Sequence, residues 1–265
     1  MSIRKEAVAG TFYPDNAKQI EKMIEDYNKV IDEHLKQKEI LKLKPKAIIV
    51  PHAGYIYSAF TANLAYRLLA NSNPKKVVVI GPSHRVYLEG VSASKYDYYE
   101  TPYGKLQIDK ELIAKLEKDF GIGFFPDAHH EHSTEVQMPL LARYLQNLKV
   151  VELVYGKEDV NHLSKIIDFC LNQKDTVVVI STDLSHYYSL NDAKKLDNIC
   201  MDAIANLNPK RLHQGCEACG KIGVEALLLV AKEKNLKPRL LDYRTSADAS
   251  GDESKVVGYL SVAFI

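Results

Sequence analysis

Three short runs of β-branched apolar residues recur along the chain. They read AIIV at 47–50, VVVI at 77–80 and VVVI at 177–180. None of them alternates between apolar and polar positions, which is typical of strands buried on both faces of a parallel sheet. Each run is followed within a few residues by a polar loop. The pattern therefore predicts three buried parallel strands at the centre of the fold.

Apolar residues at helical spacing fill the stretches between these runs. The clearest case is the segment 16–38, whose apolar positions have the spacing of a long amphipathic helix. Further predicted helices cover 58–70, 109–119, a segment opening at 134–137, 160–171, 192–205 and 220–234, and further predicted strands lie near 91, 150–154, 240–243 and 256–265. This alternation of strands and helices predicts a single layered α/β domain over residues 1–265.

Four local features complete this interpretation. The opening segment 1–14 is irregular and carries an aromatic pair that can pack on the core. Residues 94–108 are rich in tyrosine, which favours a cross-strand aromatic cluster over a pocket lining. Thr134 and Gln137 fit a capping box at the start of a helix. Residues 244–255, RTSADASGDESK, predict a polar loop.

Composition excludes several classes of partner. The chain has 35 Lys and Arg residues and 34 Asp and Glu residues, so its net charge is close to zero. We therefore expect no general electrostatic attraction to nucleic acid or to an anionic membrane. The N-terminus lacks the apolar core of a signal peptide, and no apolar stretch approaches the roughly 20 residues that span a bilayer. The four cysteines are too few for a disulfide scaffold, which predicts free thiols and a cytoplasmic protein.

A histidine follows each of the three buried runs: His52, His84 and His186. The carboxyl ends of parallel strands meet at one edge of a sheet, so these three imidazoles are predicted to converge in one cleft. Imidazole is a common metal ligand and titrates near neutral pH, which indicates a metal site, acid/base chemistry or both. Asp183, in the same loop as His186, either orients an imidazole or acts as a ligand, or else caps the next helix.

The remaining histidines and the cysteine pair carry weaker signals. His34, His162 and His213 are predicted to be surface residues. The tract of His129, His130 and His132 can add a ligand, although a solvated loop is the default interpretation for His129 and His130. Cys216 and Cys219 form a C-x-x-C motif, for which buried structural thiols rank first, a redox pair second and a zinc site last. Phosphate-binding loops, HExxH and GxSxG motifs do not occur.

The order and spacing of six motifs resemble the Memo family. These motifs are PHAGYIYS (51–58), GPSH (81–84), EHSTEVQMP (131–139), STDLSHY (181–187), ACG (218–220) and VVGY (256–259). The family is similar in fold to class III extradiol dioxygenases, which are LigB-like non-haem iron enzymes. The resemblance therefore implies a mixed central sheet flanked by helices and a pocket that can hold a metal.

Carried over by position, the resemblance also implies roles for individual residues. His52 and His84 match metal ligands, His186 matches the acid/base histidine, and Asp183 matches its acidic neighbour. His132 belongs to the pocket surroundings. The cysteine that animal members supply as a third ligand falls here on Ala249, which has no ligand atom. A site without that ligand holds metal weakly, recruits His186 or Asp183, or has lost oxygenase chemistry.

Two functions from different classes follow from these observations. The first is a dioxygenase-like oxidoreductase in which His52, His84 and His186 hold Fe(II) or copper and His186 moves protons, with no nucleotide cofactor. The second is a non-catalytic module that binds a peptide or works with a radical S-adenosylmethionine protein, as the resemblance implies for prokaryotic members. Metal-assisted hydrolysis ranks below both.

Overall fold

The computed structural model describes all residues, 1–265. Eleven strands form one sheet. In chain order they are β1 (Ile3–Arg4), β2 (Ala47–Val50), β3 (Lys76–Pro82), β4 (Val91–Ala93), β5 (Tyr98–Thr101), β6 (Gly104–Ile108), β7 (Lys149–Tyr155), β8 (Thr176–Ser181), β9 (His186–Tyr188), β10 (Pro238–Thr245) and β11 (Val256–Phe264).

Ten α-helices pack around this sheet. They are α1 (Ala17–His34), α2 (Tyr55–Ala70), α3 (Lys110–Phe120), α4 (His132–Glu135), α5 (Gln137–Tyr144), α6 (Val160–Leu171), α7 (Leu190–Ala205), α8 (Pro209–Leu212), α9 (Lys221–Glu233) and α10 (Ala247–Ser250), with short 3-10 turns at Lys38–Lys42 and Pro126–His129. None of the helices is long and apolar enough to cross a bilayer.

The three β-branched runs form neighbouring strands at the middle of the sheet. The order is β1-β5-β6-β7-β3-β8-β2-β11-β10, and β8 pairs in parallel with both β3 and β2. Every residue of β2 and β8 is buried, which explains why these runs carry no polar alternation. Because the three strands are parallel and adjacent, the loops that follow them leave the sheet at one edge.

Antiparallel pairs occur on both flanks of the sheet. β11 pairs with β2 on one side and β10 on the other, and β5 forms a hairpin with β6. The mixed α/β sheet flanked by helices is therefore confirmed. Its relation to the extradiol dioxygenases remains a prediction.

The helices follow the predicted pattern, with differences at some ends and one additional short helix. The long amphipathic helix is α1, which begins after an Asn16 cap, ends at His34 instead of Lys38, buries Ile20, Ile24 and Ile31, and packs on α2. α2 begins at Tyr55, three residues earlier than predicted, so it starts almost directly after β2. The predicted polar loop at 244–255 contains the short helix α10, because the Asp248 carboxylate accepts the Thr245 backbone N–H and closes a helical turn.

The expectation that all four cysteines are free is wrong. Cys200 on α7 and Cys216 after α8 form a disulfide, with their Cα atoms 4.9 Å apart. The turn through α8 returns the chain onto α7, and this contact between residues 16 apart has no signature in sequence spacing. Cys170 and Cys219 are free.

Removing this disulfide is expected to destabilise the fold. The Cys200→Ala, Cys216→Ala double variant should lose about 2–4 kcal/mol of unfolding free energy, because closing a loop of this length restricts the unfolded chain. Urea denaturation measures the loss, and a reductant should lower the midpoint of the wild type without affecting that of the double variant. The matched control is Cys170→Ala, which should keep the response to reductant. A wild-type midpoint that ignores the reductant would contradict the assignment.

Candidate metal centre

The ends of β2, β3 and β8 bring three functional groups to one edge of the sheet. His52 lies two residues after β2, His84 two residues after β3 and Asp183 two residues after β8. The backbone N–H of His52 donates to the Asp183 carboxylate at 2.7 Å, which ties two of these loops together. The loops after these three strands thus meet at one edge of the sheet.

A buried segment, residues 131–137, crosses the ends of all three strands. The Ser133 hydroxyl donates to the last carbonyl of β3 at 2.7 Å. The Gln137 amide donates to the carbonyl of Pro51, just past β2, and to the hydroxyl of Ser181 at the end of β8, both at 2.9 Å. One segment therefore fixes the three strand ends relative to one another.

Residues 131–137 approach β3 so closely that a side chain at Gly81 would clash with them. A Cβ atom added at Gly81 would lie 2.6 Å from the Ser133 hydroxyl and 2.9 Å from a methyl group of Thr134. Glycine in the GPSH motif thus admits the segment to the strand end.

The predicted capping box in this segment is wrong. The Glu131 carboxylate caps α4 by accepting the backbone N–H groups of His132 and Ser133. Thr134 donates instead to Glu152, and Gln137 bonds the strand ends. Both side chains that would form the capping box bond to buried groups distant in the sequence. A local sequence pattern does not reveal such partners.

Three imidazoles meet in front of the segment: His52, His84 and His132. Their ring centroids are 4.8–5.5 Å apart, and one ligand nitrogen from each lies within 4.8 Å of the other two. His52 is 1% exposed, whereas the side chains of His84 and His132 are 30% and 17% exposed. The group therefore opens to solvent on the side of His84.

A single carboxylate orients two of these rings. One oxygen of Glu131 lies 2.8 Å from Nδ1 of His132 and 3.4 Å from Nδ1 of His84, and the other accepts the His84 backbone N–H at 2.6 Å. Burial would raise the pKa of Glu131, but hydrogen bonds from His132 and His84 hold it well below its usual range. The ionised carboxylate is thus the partner of both Nδ1 atoms, so Nε2 is the nitrogen that each ring can offer to an ion.

Ser181 orients the ring of His52 in the same way, by bonding its Nδ1 atom. Its hydroxyl donates to the carbonyl of Ser133 at 2.5 Å, so its oxygen is the acceptor for Nδ1 of His52 at 2.9 Å. His52 thus carries its proton on Nδ1, and Nε2 has an unprotonated lone pair. Burial lowers the pKa of His52 well below its ordinary value, and the neighbouring His84 and His132 lower it further.

This arrangement fits a transition-metal ion. Each imidazole has an Nδ1 partner within the protein, which is the usual orientation of a histidine that binds a metal through Nε2. Around a tetrahedral ion, nitrogens at 2.0–2.1 Å are separated by about 3.4 Å, so small ring rotations bring the three nitrogens onto one ion. The three histidines can therefore hold a metal.

Acid and base groups border the three imidazoles. Burial raises the pKa of Asp183 to about 7, against backbone hydrogen bonds that lower it. Burial lowers the pKa of His84, but hydrogen bonds to Cys219 and Glu131 outweigh it and raise the value to about 10. Because a bound metal requires a neutral imidazole, metal binding releases the proton from His84.

His186 lies outside the group of three imidazoles. It opens β9, where it is partly buried, and burial lowers its pKa, with a further lowering by the charge of His84. The metal-ligand and acid/base roles of His186 remain predictions. The third imidazole of the group is His132, which the resemblance placed only in the surroundings of the pocket.

Sequence reasoning also missed Glu131 and Cys219. Both stand in motifs, EHS and ACG, but no spacing rule links either to the histidines. The Cys219 sulfur lies 3.3 Å from Nε2 of His52. By contrast, Ala249 is exposed on α10, and the nearby Asp248 and Asp252 bond Thr245 and Ser254.

An apolar cleft of about 390 Å³ adjoins the histidines. It is formed by residues 10–15 and 54–57 with parts of α1, and the Phe12 ring within it lies 4.7 Å from the ring of His132. Another surface cleft, of about 700 Å³, lies between α6, α8 and α9, far along the chain from the three histidines. None of the three histidines lines either cleft, so contact through Phe12 is what links the smaller one to the site.

Comparisons with known proteins give one consistent result. A family model described as Memo-like protein matches residues 4–263. A MEMO1 family protein of Aquifex aeolicus is 36% identical over 279 aligned positions and covers all of both chains. MEMO1 family proteins of Sulfolobus acidocaldarius and Archaeoglobus fulgidus are 34% and 31% identical, each over 99% of both chains.

The raised pKa of Asp183 predicts a pH dependence of stability in metal-free protein. A carboxyl whose pKa rises on folding stabilises the fold fully below about pH 4 and loses that contribution as the pH passes about 7. Wild-type stability should therefore fall over this range relative to Asp183→Asn, by on the order of 2–4 kcal/mol. Urea denaturation across the range measures the difference.

Asp252→Asn is the matched control, because Asp252 is an exposed carboxylate. Its stability relative to the wild type should show no decline of this kind. Parallel pH curves for the wild type and Asp183→Asn would contradict the buried, proton-holding role of Asp183.

Proposed function

Since the chain belongs to the Memo family, we propose that it is a non-haem, redox-metal oxidoreductase that acts on a small molecule. The observation that carries this proposal is the set of His52, His84 and His132, whose ligand nitrogens lie within 4.8 Å of one another and whose Nδ1 atoms each have a partner within the protein. Packing alone does not require three imidazoles to be gathered and oriented in this way.

Iron(II) and copper are the ions we favour. Imidazole suits iron, copper, zinc and nickel, and three protein ligands leave further coordination positions open. When bound, a redox-active ion would supply Lewis acidity and electron transfer at those positions. The predicted relation of the family to the extradiol dioxygenases would support oxygen chemistry, which distinguishes this proposal from simple metal storage.

Asp183 and His186 are proposed to hold and move the proton. The pKa of Asp183 lies at about 7, so it exists in both protonation states near neutral pH. Burial lowers the pKa of His186, which keeps its imidazole neutral and able to accept a proton. Asp183 lies in the loop after β8, with a carboxylate oxygen 4.0 Å from Nε2 of His52, and His186 opens β9 three residues later.

The adjoining cleft supports an apolar or aromatic substrate. Phe12 contacts the His132 ring, and Ile56 and Tyr57 line the opposite wall. His84, the most exposed of the three histidines, faces solvent. A small molecule in this cleft would reach the metal without entering the sheet.

Metal content tests the proposal. After anaerobic loading with Fe(II) and removal of free ion, the wild type should retain iron, whereas His52→Ala, His84→Ala should retain only background, because two of three ligands are gone. Elemental analysis measures this. Nitric oxide added to the loaded wild type should give the EPR signal of a high-spin iron–nitrosyl, since open positions are expected.

His130→Ala is the matched control, because this exposed histidine neighbours the group without joining it. It should retain the wild-type iron content. Full iron content in the double variant would overturn the proposed site. Iron that binds without forming a nitrosyl would contradict the open positions and hence the oxygen chemistry.

A second candidate is a module that docks a partner protein. It is favoured by an exposed rim in which Ile56 is 65% and Tyr187 is 72% exposed. Burial raises the pKa of Tyr259, and the nearby Asp183, Tyr57 and Tyr187 raise it further. Tyr57 and Tyr187 are therefore close to Tyr259. The rim therefore lies next to the proposed site.

This candidate predicts co-purification of a co-expressed radical S-adenosylmethionine protein. Binding should survive His186→Ala and be lost on Ile56→Asp with Tyr187→Ala, since the charge and the lost ring remove the apolar contact. A pull-down with a quantified recovery measures both. Equal recovery by the rim variant and the wild type would rule out docking at this surface.

A further inference from the structure

A buried chain of hydrogen bonds lies behind the segment that carries His132. The Ser92 hydroxyl lies 2.8 Å from Nε2 of His129, and Nδ1 of His129 lies 2.9 Å from a carboxylate oxygen of Glu152. All three residues are at most 1% exposed. The default interpretation of His129 as part of a solvated loop is therefore wrong.

The order of serine, histidine and carboxylate is that of a catalytic triad, but burial excludes a nucleophile here. The Ser92 hydroxyl accepts the backbone N–H of Phe125 at 2.9 Å, and the Phe124 ring lies 5.6 Å from that of His129. A substrate would have to displace this segment to reach the serine. The buried position instead indicates a connection between elements.

Glu152, on β7, bonds the chain on both sides of His132. One carboxylate oxygen lies 2.9 Å from Nδ1 of His129, three residues before His132. The other accepts the hydroxyl of Thr134, two residues after His132, at 2.5 Å. The interval between these contacts also contains Glu131, whose carboxylate orients two of the imidazoles. One buried carboxylate thus fixes this part of the segment at both ends.

The Glu152 carboxylate is ionised. Burial would raise its pKa, but His129, Arg4 and the hydrogen bond from Thr134 hold it below its usual value. Hydrogen bonds to an ionised acceptor are stronger than those between neutral groups, and a buried charge that loses a donor is left poorly compensated. The bonds to His129 and Thr134 therefore constrain the segment strongly.

Arg4 fixes the middle of the same interval. Its guanidinium donates to the backbone carbonyl of Glu131 at 3.1 Å and pairs with the Glu135 carboxylate one helical turn further on. Arg4 is itself buried. The backbone that carries His132 is therefore bonded at its middle as well as at both ends.

We propose that Glu152 is a positioning residue of the metal site. By bonding His129 and Thr134, it sets the place of His132 relative to the other two imidazoles. The inference rests on the proposed metal site and adds a residue that bonds none of the three imidazoles itself. Groups that support metal ligands contribute roughly 10–100-fold in metal affinity, so loss of either bond should weaken binding about tenfold.

The zinc affinities of two matched threonine variants test this inference. Thr134→Val keeps the shape of the side chain and removes the hydroxyl that bonds Glu152, so the dissociation constant for Zn(II) should rise about tenfold. Thr61→Val is the control, because Thr61 is equally buried and its hydroxyl donates to another carboxylate, that of Asp242, at 2.7 Å. It should be destabilised to a similar extent and keep the wild-type affinity. Competition with a chromophoric chelator measures both constants.

Two variants of His129 test the other end of the interval. Leucine and asparagine have nearly the same shape, but only asparagine has a side-chain N–H group. His129→Asn can donate to Glu152 in place of Nδ1 and should keep an affinity close to that of the wild type. His129→Leu should weaken zinc binding about tenfold. A role in stability alone would not separate the two variants in zinc affinity.

Unchanged zinc affinity in Thr134→Val and His129→Leu, with zinc bound by the wild type, would overturn this inference and leave the metal site standing. Equal losses of affinity in Thr134→Val and Thr61→Val would also overturn it, because general loosening of the fold would then explain the effect. Failure of the wild type to bind zinc would overturn both proposals. If one variant did not fold, the pair at the other end of the interval would decide the question.

Discussion

The hydrogen bonds between residues 131–137 and the ends of β2, β3 and β8 are the constraint on which the site depends. Parallel pairing brings the strand ends to one edge, but it does not fix the loops beyond them. Ser133 and Gln137 bond the strand ends themselves, and Glu131 bonds the loop after β3. Each such bond contributes roughly 1 kcal/mol net, and a buried group left without its partner costs about 1–3 kcal/mol. The hydroxyl of Ser181 belongs to this network and also sets the protonation of His52, so the same contacts support fold and chemistry.

Buried charges beneath this network hold the N-terminal segment against the site. Arg4 pairs with Glu135, whose carboxylate also accepts the backbone N–H groups of Ala7 and Val8 and the hydroxyl of Tyr13. A buried ion pair contributes little stability by itself, but removing one partner leaves an uncompensated charge. The ion pair mainly positions the N-terminal segment. This segment places the ring of Phe12 against His132 and forms one wall of the cleft.

Sequence patterns predicted the features that local chemistry determines. Runs such as AIIV and VVVI are unambiguous because strands buried on both faces carry no polar positions, and their loops placed His52 and His84 at one edge. The third imidazole could not be identified in this way, because His132 comes from a helical segment that follows no predicted strand. Cys219 and the pair of Cys200 with Cys216 were missed for a related reason. Contacts between segments distant in the sequence decide which partner each cysteine has. The C-x-x-C spacing suggests Cys219 as the partner of Cys216, whereas the disulfide joins Cys216 to Cys200.

The central claim is that His52, His84 and His132 bind one metal ion through Nε2. Crystals of the protein soaked with Fe(II) or copper and measured at the absorption edge of the metal test it most directly. The account predicts a single strong anomalous peak about 2.1 Å from all three Nε2 atoms. A peak of full occupancy elsewhere on the protein, with these three nitrogens left uncoordinated, would contradict it.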